Sequence, residues 1–194
     1  MNFLAHVYLS GNNIPLAIGN LIADRVNGKS FKNFSPEIQK GILLHRKIDH
    51  FTDHHPAFKA CVTKLFPTYR HYSRVIVDMY FDHYLAAYWT QYHPQSLKEF
   101  SSQFYSDLSL EAEKLPENIQ KFTAALIRYD WFKAYASVSG LHLILSQMEM
   151  RTQYPSKLGA STKELKENYT YFHTHFSHFM DNVIAYSKKE IKTL

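Results

Sequence analysis

Residues 75–89 run VIVDMYFDHYLAAYW, and the fold class turns on how this stretch is read. The surrounding segment from Tyr69 to Tyr92 holds neither glycine nor proline and is far longer than an ordinary strand, so it predicts one long helix. Its apolar residues fall on nearly every side, the pattern of a helix buried within a bundle. Tyrosines apart, the only groups between Val75 and Trp89 that can carry charge are Asp78, Asp82 and His83. Asp78 and Asp82 stand four residues apart, about 40° around the helix axis, and so share a face. Two carboxylates on one buried face repel each other unless a cation, a shared proton or an arginine lies between them.

Helical spacing continues on both sides. Asn12, Asn13 and Pro15 open a predicted helix that runs to about Val26 and stops at Asn27-Gly28. Ser35-Pro36-Glu37 opens the next, through His45 to about Phe51, and Pro56 starts a short one ending near Pro67. Further helices are predicted over 96–115, 116–132 and, interrupted by Gly140, 137–151. Ser161 and Glu164 form a capping signal for a long last helix, whose Leu165, Tyr169, Phe172, Phe176, Phe179 and Val183 recur three or four residues apart. No repeat, low-complexity tract or linker divides the chain. Residues 1–194 therefore predict a single all-α domain, a helical bundle.

Composition narrows the chemistry. With 14 Tyr and 14 Phe, the core or cleft is built largely from rings. Cys61 is the one cysteine, which excludes an intramolecular disulfide and a thiolate metal cluster within the chain, and fits a reducing compartment. The first residues lack a basic region followed by a long apolar run, and no stretch of about 18 apolar residues could span a membrane. A cytoplasmic protein without membrane insertion is expected. The formal charge of +5 favours an acidic partner, and on that ground alone nucleic acid, anionic lipid and acidic protein are equal candidates.

The acids are unevenly spread. Up to Pro94 there are six, and five are aspartates: Asp24, Asp49, Asp53, Asp78 and Asp82. They sit in apolar helical stretches, where aspartate is a poor helix former with no capping duty to explain it. His45 and Asp49 share a face four residues apart, Asp24 ends the apolar run from Leu16 to Ala23, and His6 follows Phe3-Leu4-Ala5. Imidazoles and carboxylates on several helices of one bundle are how metal sites in bundle cores are assembled. Such donors suit Mn²⁺, Fe²⁺, Mg²⁺ or Zn²⁺, and a metal of this kind acidifies water and polarises a phosphoryl oxygen. Competing readings exist for each residue: Asp78 and Asp82 paired with Arg70 or Arg74, His45 with Asp49 as an ordinary helix pair, His6 as a core histidine.

Four blocks, in order, resemble the acyl carrier protein phosphodiesterase family. They are the first six residues through His6, Gly19 to Asp24, Gly41 to Asp49 with Thr52-Asp53, and Asp78 to His83. The resemblance implies a divergent HD-type metal phosphohydrolase, an HD-like helical bundle with its metal site between helices. It further implies hydrolysis of holo-acyl carrier protein to the apo-protein and 4′-phosphopantetheine, with Mn²⁺ as the metal and Mg²⁺ or Fe²⁺ as alternatives. Carried onto matching positions, the metal candidates are His6, Asp24, His45, Asp49, Asp82 and His83. Arg46 is expected to steady the phosphoryl oxygens, with Arg25 in reserve, and Asp53 or Asp78 to orient water. The HD order is not literal here, since Asp82 precedes His83 and Arg46 follows His45. The implied partner is an acidic carrier protein rather than nucleic acid. Two other readings stand beside this one: an HD-like phosphohydrolase acting on a nucleotide or other small phosphate ester, and a non-catalytic helical adaptor for an acidic partner.

Overall fold

A computed structural model describes residues 2–194, and among them there are eleven α-helices and no strand. The helices are α1 (Phe3–Leu9), α2 (Ile14–Ile22), α3 (Pro36–His54), α4 (Pro56–Tyr69), α5 (Ser73–Ala87), α6 (Leu97–Ala112), α7 (Glu117–Arg128), α8 (Trp131–Tyr135), α9 (Val138–Glu149), α10 (Thr162–Glu167) and α11 (Tyr169–Ile191). The all-α expectation holds. Among the described residues no helix is long and apolar enough to cross a membrane.

The centre of the bundle is α5, as its all-round apolar character requires. Ile76, Val77, Met79, Tyr80, Phe81, Tyr84 and Leu85 are each fully buried. The phenyl ring of Phe81 packs against Phe176 and Phe179 of α11, with centroids 5.6 and 5.1 Å apart. The predicted helix from Tyr69 to Tyr92 is shorter than expected at both ends. Arg70 takes a left-handed φ of 50°, a 3₁₀ turn covers Arg70–Tyr72, and α5 begins only at Ser73. Likewise Asp130, at φ 44°, divides the helix expected over 116–132 into α7 and α8. Single left-handed residues are invisible to hydrophobic periodicity, which is why both breaks escape the sequence reading.

The contact that positions the site is the crossing of α2 and α3. A Cβ placed on Gly19 would lie 2.2 Å from the Ile38 carbonyl oxygen, and one on Gly41 only 2.1 Å from the Leu16 carbonyl oxygen. The two backbones therefore touch, which only glycine permits. Each helical glycine costs about 1 kcal/mol in propensity, so the close approach is retained against a local cost. It sets the residues after Gly19 directly against those after Gly41.

Candidate metal centre

Four elements meet at this crossing. α1 brings His6, α2 brings Asn20, the 3₁₀ turn Ala23–Arg25 brings Asp24, and α3 brings His45 and Asp49. The His6 and His45 rings stack with centroids 4.0 Å apart. Both are buried, at 2% and 5% exposure.

Asn20, fully buried, decides how the rings are protonated. Its amide NH₂ donates to the His6 carbonyl oxygen at 2.8 Å and to Ser10 Oγ at 2.9 Å. The amide oxygen must then face His6 Nδ1, 2.7 Å away, and that nitrogen carries the proton. The backbone carbonyl of Asn20 does the same for His45, accepting from Nδ1 at 2.8 Å. In the neutral rings both Nε2 atoms are thus lone-pair donors, the tautomer a metal requires.

Those two nitrogens face carboxylates. His45 Nε2 lies 3.1 Å from Asp24 Oδ1 and 3.0 Å from Asp49 Oδ2. His6 Nε2 lies 3.2 Å from Asp49 Oδ1, yet the approach lacks hydrogen-bond alignment and the atom is buried without a partner. One ligand atom each from His6, His45 and Asp49 lie within 4.8 Å of one another, a group that could hold a metal ion. Lone pairs aimed at carboxylate oxygens repel, and a proton on His45 or a cation at the centre relieves the repulsion. The donor set therefore fits a divalent ion of borderline hardness.

The electrostatics of the metal-free cluster follow the same logic. Burial opposes a charge on His45, but its hydrogen bonds to Asp24 and Asp49 carry its pKa up to about 9. Burial, reinforced by the His45 charge, takes His6 down to about 4. The His45 hydrogen bond holds Asp24 below its ordinary value. Burial works against the Asp49 carboxylate, but the charged His45 ring 3.0 Å away, with the His6 ring beside it, holds it far below the usual range. One proton, on His45, occupies the place of a cation. The side chains of Asp24 and Asp49 keep 65% and 43% of their exposure, so the cluster opens to solvent on its carboxylate side.

The other sequence candidates lie elsewhere. Asp82 is fully buried and accepts backbone N–H bonds from Leu4 at 2.8 Å, Asn2 at 3.2 Å and Ala5 at 3.3 Å. Burial raises its pKa to about 7. Its carboxylate seats the first turn of α1, and through α1 it positions His6. His83 has both nitrogens engaged, Nδ1 with the Tyr135 carbonyl oxygen at 2.8 Å and Nε2 with the Tyr169 hydroxyl at 2.9 Å. The structure does not bring Asp82 or His83 into the group of His6, His45 and Asp49. Adjacent helix positions point about 100° apart, so an Asp-His pair in sequence need not share a site.

Asp53 forms an ion pair with Arg74, both half exposed, a partner the sequence reading reserved for Asp78 or Asp82. The Arg46 guanidinium donates to the Gly28 carbonyl oxygen at 3.0 Å and lies 5.1 Å from the Phe31 ring. Arg25 rests over the Phe122 ring at 3.8 Å. Asp78 is half buried; burial raises its pKa, and the charges of Asp49 and Asp53 push the same way. The residue missed from sequence is Asn20. Its signal was there, a carboxamide within the apolar run from Leu16 to Ala23, but its hydrogen-bond partners come from other elements.

The chain is 29% identical to an acyl carrier protein phosphodiesterase of Serratia proteamaculans, over 97% of this chain and 98% of the relative. It is 30% identical to one of Pectobacterium atrosepticum over 98% and 99% of the two chains. A third, from Yersinia pestis, is 32% identical over 87% and 88%. No solved structure matches the chain. The model of the acyl carrier protein phosphodiesterase family matches residues 1–183, a span that takes in α1 to α10 and with them every side chain of the imidazole–carboxylate cluster, so the chain belongs to that family.

Proposed function

We propose that this protein is a metal-dependent phosphodiesterase that hydrolyses holo-acyl carrier protein to apo-protein and 4′-phosphopantetheine. The observation that carries this reading is the convergence of two buried imidazole nitrogens, both freed by Asn20, with two carboxylates at a solvent-open edge. His6, His45, Asp49 and Asp24 would hold the ion, and Mn²⁺ suits a mixed nitrogen and oxygen donor set. When bound, it supplies Lewis acidity toward the phosphoryl oxygen and lowers the pKa of water. Imidazole and carboxylate donors drawn from separate helices support the HD-like assignment, with Asp82 and His83 serving the fold instead.

The chain's own groups do the rest. Asp78 holds a proton more readily than an ordinary aspartate and can take or return one at its carboxyl oxygen. Arg25, next to Asp24 in the chain, would take over from Arg46 the steadying of a phosphoryl oxygen, since Arg46 donates to the Gly28 carbonyl oxygen. Asp53 is left to Arg74. The excess of basic residues suits an acidic carrier protein as substrate, and steers encounter with it. The free, buried Cys61 is in keeping with a cytoplasmic location.

Mass spectrometry of holo-carrier protein after incubation with the protein and Mn²⁺ tests the activity. Loss of the prosthetic arm is expected, and chelator should prevent it. His45→Ala and Asp24→Ala should each abolish the loss while helical circular dichroism stays unchanged. A carrier protein that keeps its arm, or full activity in both variants, would overturn the assignment.

A further inference from the structure

A groove of about 250 Å³ lies beside Arg25, the residue that follows Asp24 of the imidazole–carboxylate cluster. Phe3, Trp131 and Met148 form its apolar wall, Arg25 and Arg151 supply charge, and Tyr135 lies at its lining. Its relation to the cluster is built into the chain. Phe3 is one helical turn before His6 on α1, and Arg25 directly follows Asp24.

Three features point to an occupant. First, Arg25 and Arg151 both line the groove and bring two like charges to it. Among the described residues neither guanidinium meets a carboxylate at ion-pair distance. Second, Tyr135 is fully buried, and its hydroxyl has no hydrogen-bond partner. A ligand amide or hydroxyl would supply the missing partner. Third, the wall is aromatic and preorganised, with the Phe3 and Trp131 rings stacked 5.7 Å apart and Arg25 braced on Phe122.

An anion joined to a slender chain of alternating apolar and amide groups matches all three. We propose that this groove holds the pantetheine arm of the substrate, with the phosphodiester against Arg25 and Arg151 and the amide-bearing chain between Trp131 and Met148. This rests on the phosphodiesterase reading and adds to it the place where the arm binds. The carrier protein's folded body then stays outside, and the groove recognises the prosthetic group alone.

The test uses free 4′-phosphopantetheine as the probe, titrated calorimetrically into the full chain, alongside kinetics on holo-carrier protein. Arg151→Ala removes an exposed charge and Met148→Trp fills the groove; circular dichroism checks that each folds. Each should weaken 4′-phosphopantetheine about tenfold or more and raise KM for holo-carrier protein more than it lowers kcat. Wild-type affinity for 4′-phosphopantetheine in Arg151→Ala would overturn the proposal. So would variants that bind the free arm normally but bind the carrier protein poorly, since the groove would then dock the protein body. Groove-dependent binding of the arm by a wild type that never cleaves holo-carrier protein would sink the phosphodiesterase reading and keep the groove. Cleavage with groove-independent binding would do the reverse.

Discussion

Replacing Asn20 by alanine removes the one side chain that sets the proton on His6. Three hydrogen bonds vanish: those to His6 Nδ1, the His6 carbonyl oxygen and Ser10 Oγ. At about 1 kcal/mol net for each, with a buried Nδ1–H left unpaired, the loss is about 3 kcal/mol. For a chain of this size that lowers Tm by about 6–12 °C. The metal consequence is separate. Without the amide oxygen, His6 can place its proton on Nε2, where it blocks coordination. Outer partners of this kind are worth about 10–100-fold in metal affinity. Asn20→Asp keeps an acceptor for Nδ1 but loses both donors and buries a second charge, so it should be less stable still than Asn20→Ala. The assay is thermal melting of metal-free protein, followed by calorimetric titration with Mn²⁺. If Asn20→Ala melts lower but binds Mn²⁺ as tightly as wild type, Asn20 is only structural and the tautomer argument is wrong.

Metal binding should release protons. In the metal-free protein the His45 pKa of about 9 lies above its ordinary 6.5, so its charged ring stabilises the fold fully below about 6.5 and no longer does so once pH passes about 9. Binding must displace that proton, so affinity should rise about 50-fold from pH 7 to pH 9, where one-proton competition reaches its midpoint. Titration at pH 7 in buffers of differing ionisation heat should count about one proton, and a pH-independent affinity would contradict it. Gly41→Ala forces a Cβ to 2.1 Å from the Leu16 carbonyl oxygen and should cost more than about 3 kcal/mol, read as a fall in Tm; an unchanged Tm would mean the helices do not touch there. Asp53→Ala breaks only a half-exposed pair with Arg74 and should cost less than about 1 kcal/mol, with turnover within about twofold of wild type. A collapse of turnover would return Asp53 to the chemistry.

The order of helices, the burial of α5 and the gathering of aspartates in the first half were all legible in the sequence. Each depends on local periodicity or on residue type against a uniform background, and both are properties of the one-dimensional chain. His6, Asp24, His45 and Asp49 could be named as donors for the same reason. Which donors share a site was not legible. Asp82 and His83 look as much like ligands as His45 does, and only the docking of α1 shows Asp82 receiving the N–H groups of Asn2, Leu4 and Ala5. The helix breaks at Arg70 and Asp130 depend on single backbone angles that periodicity does not encode. The roles of Asn20, Tyr135 and Arg151 arise from contacts between residues far apart in the chain. A residue's type and spacing limit what it can do. Its partners decide what it does, and partners are assigned only when helices such as α2 and α3 cross at Gly19 and Gly41.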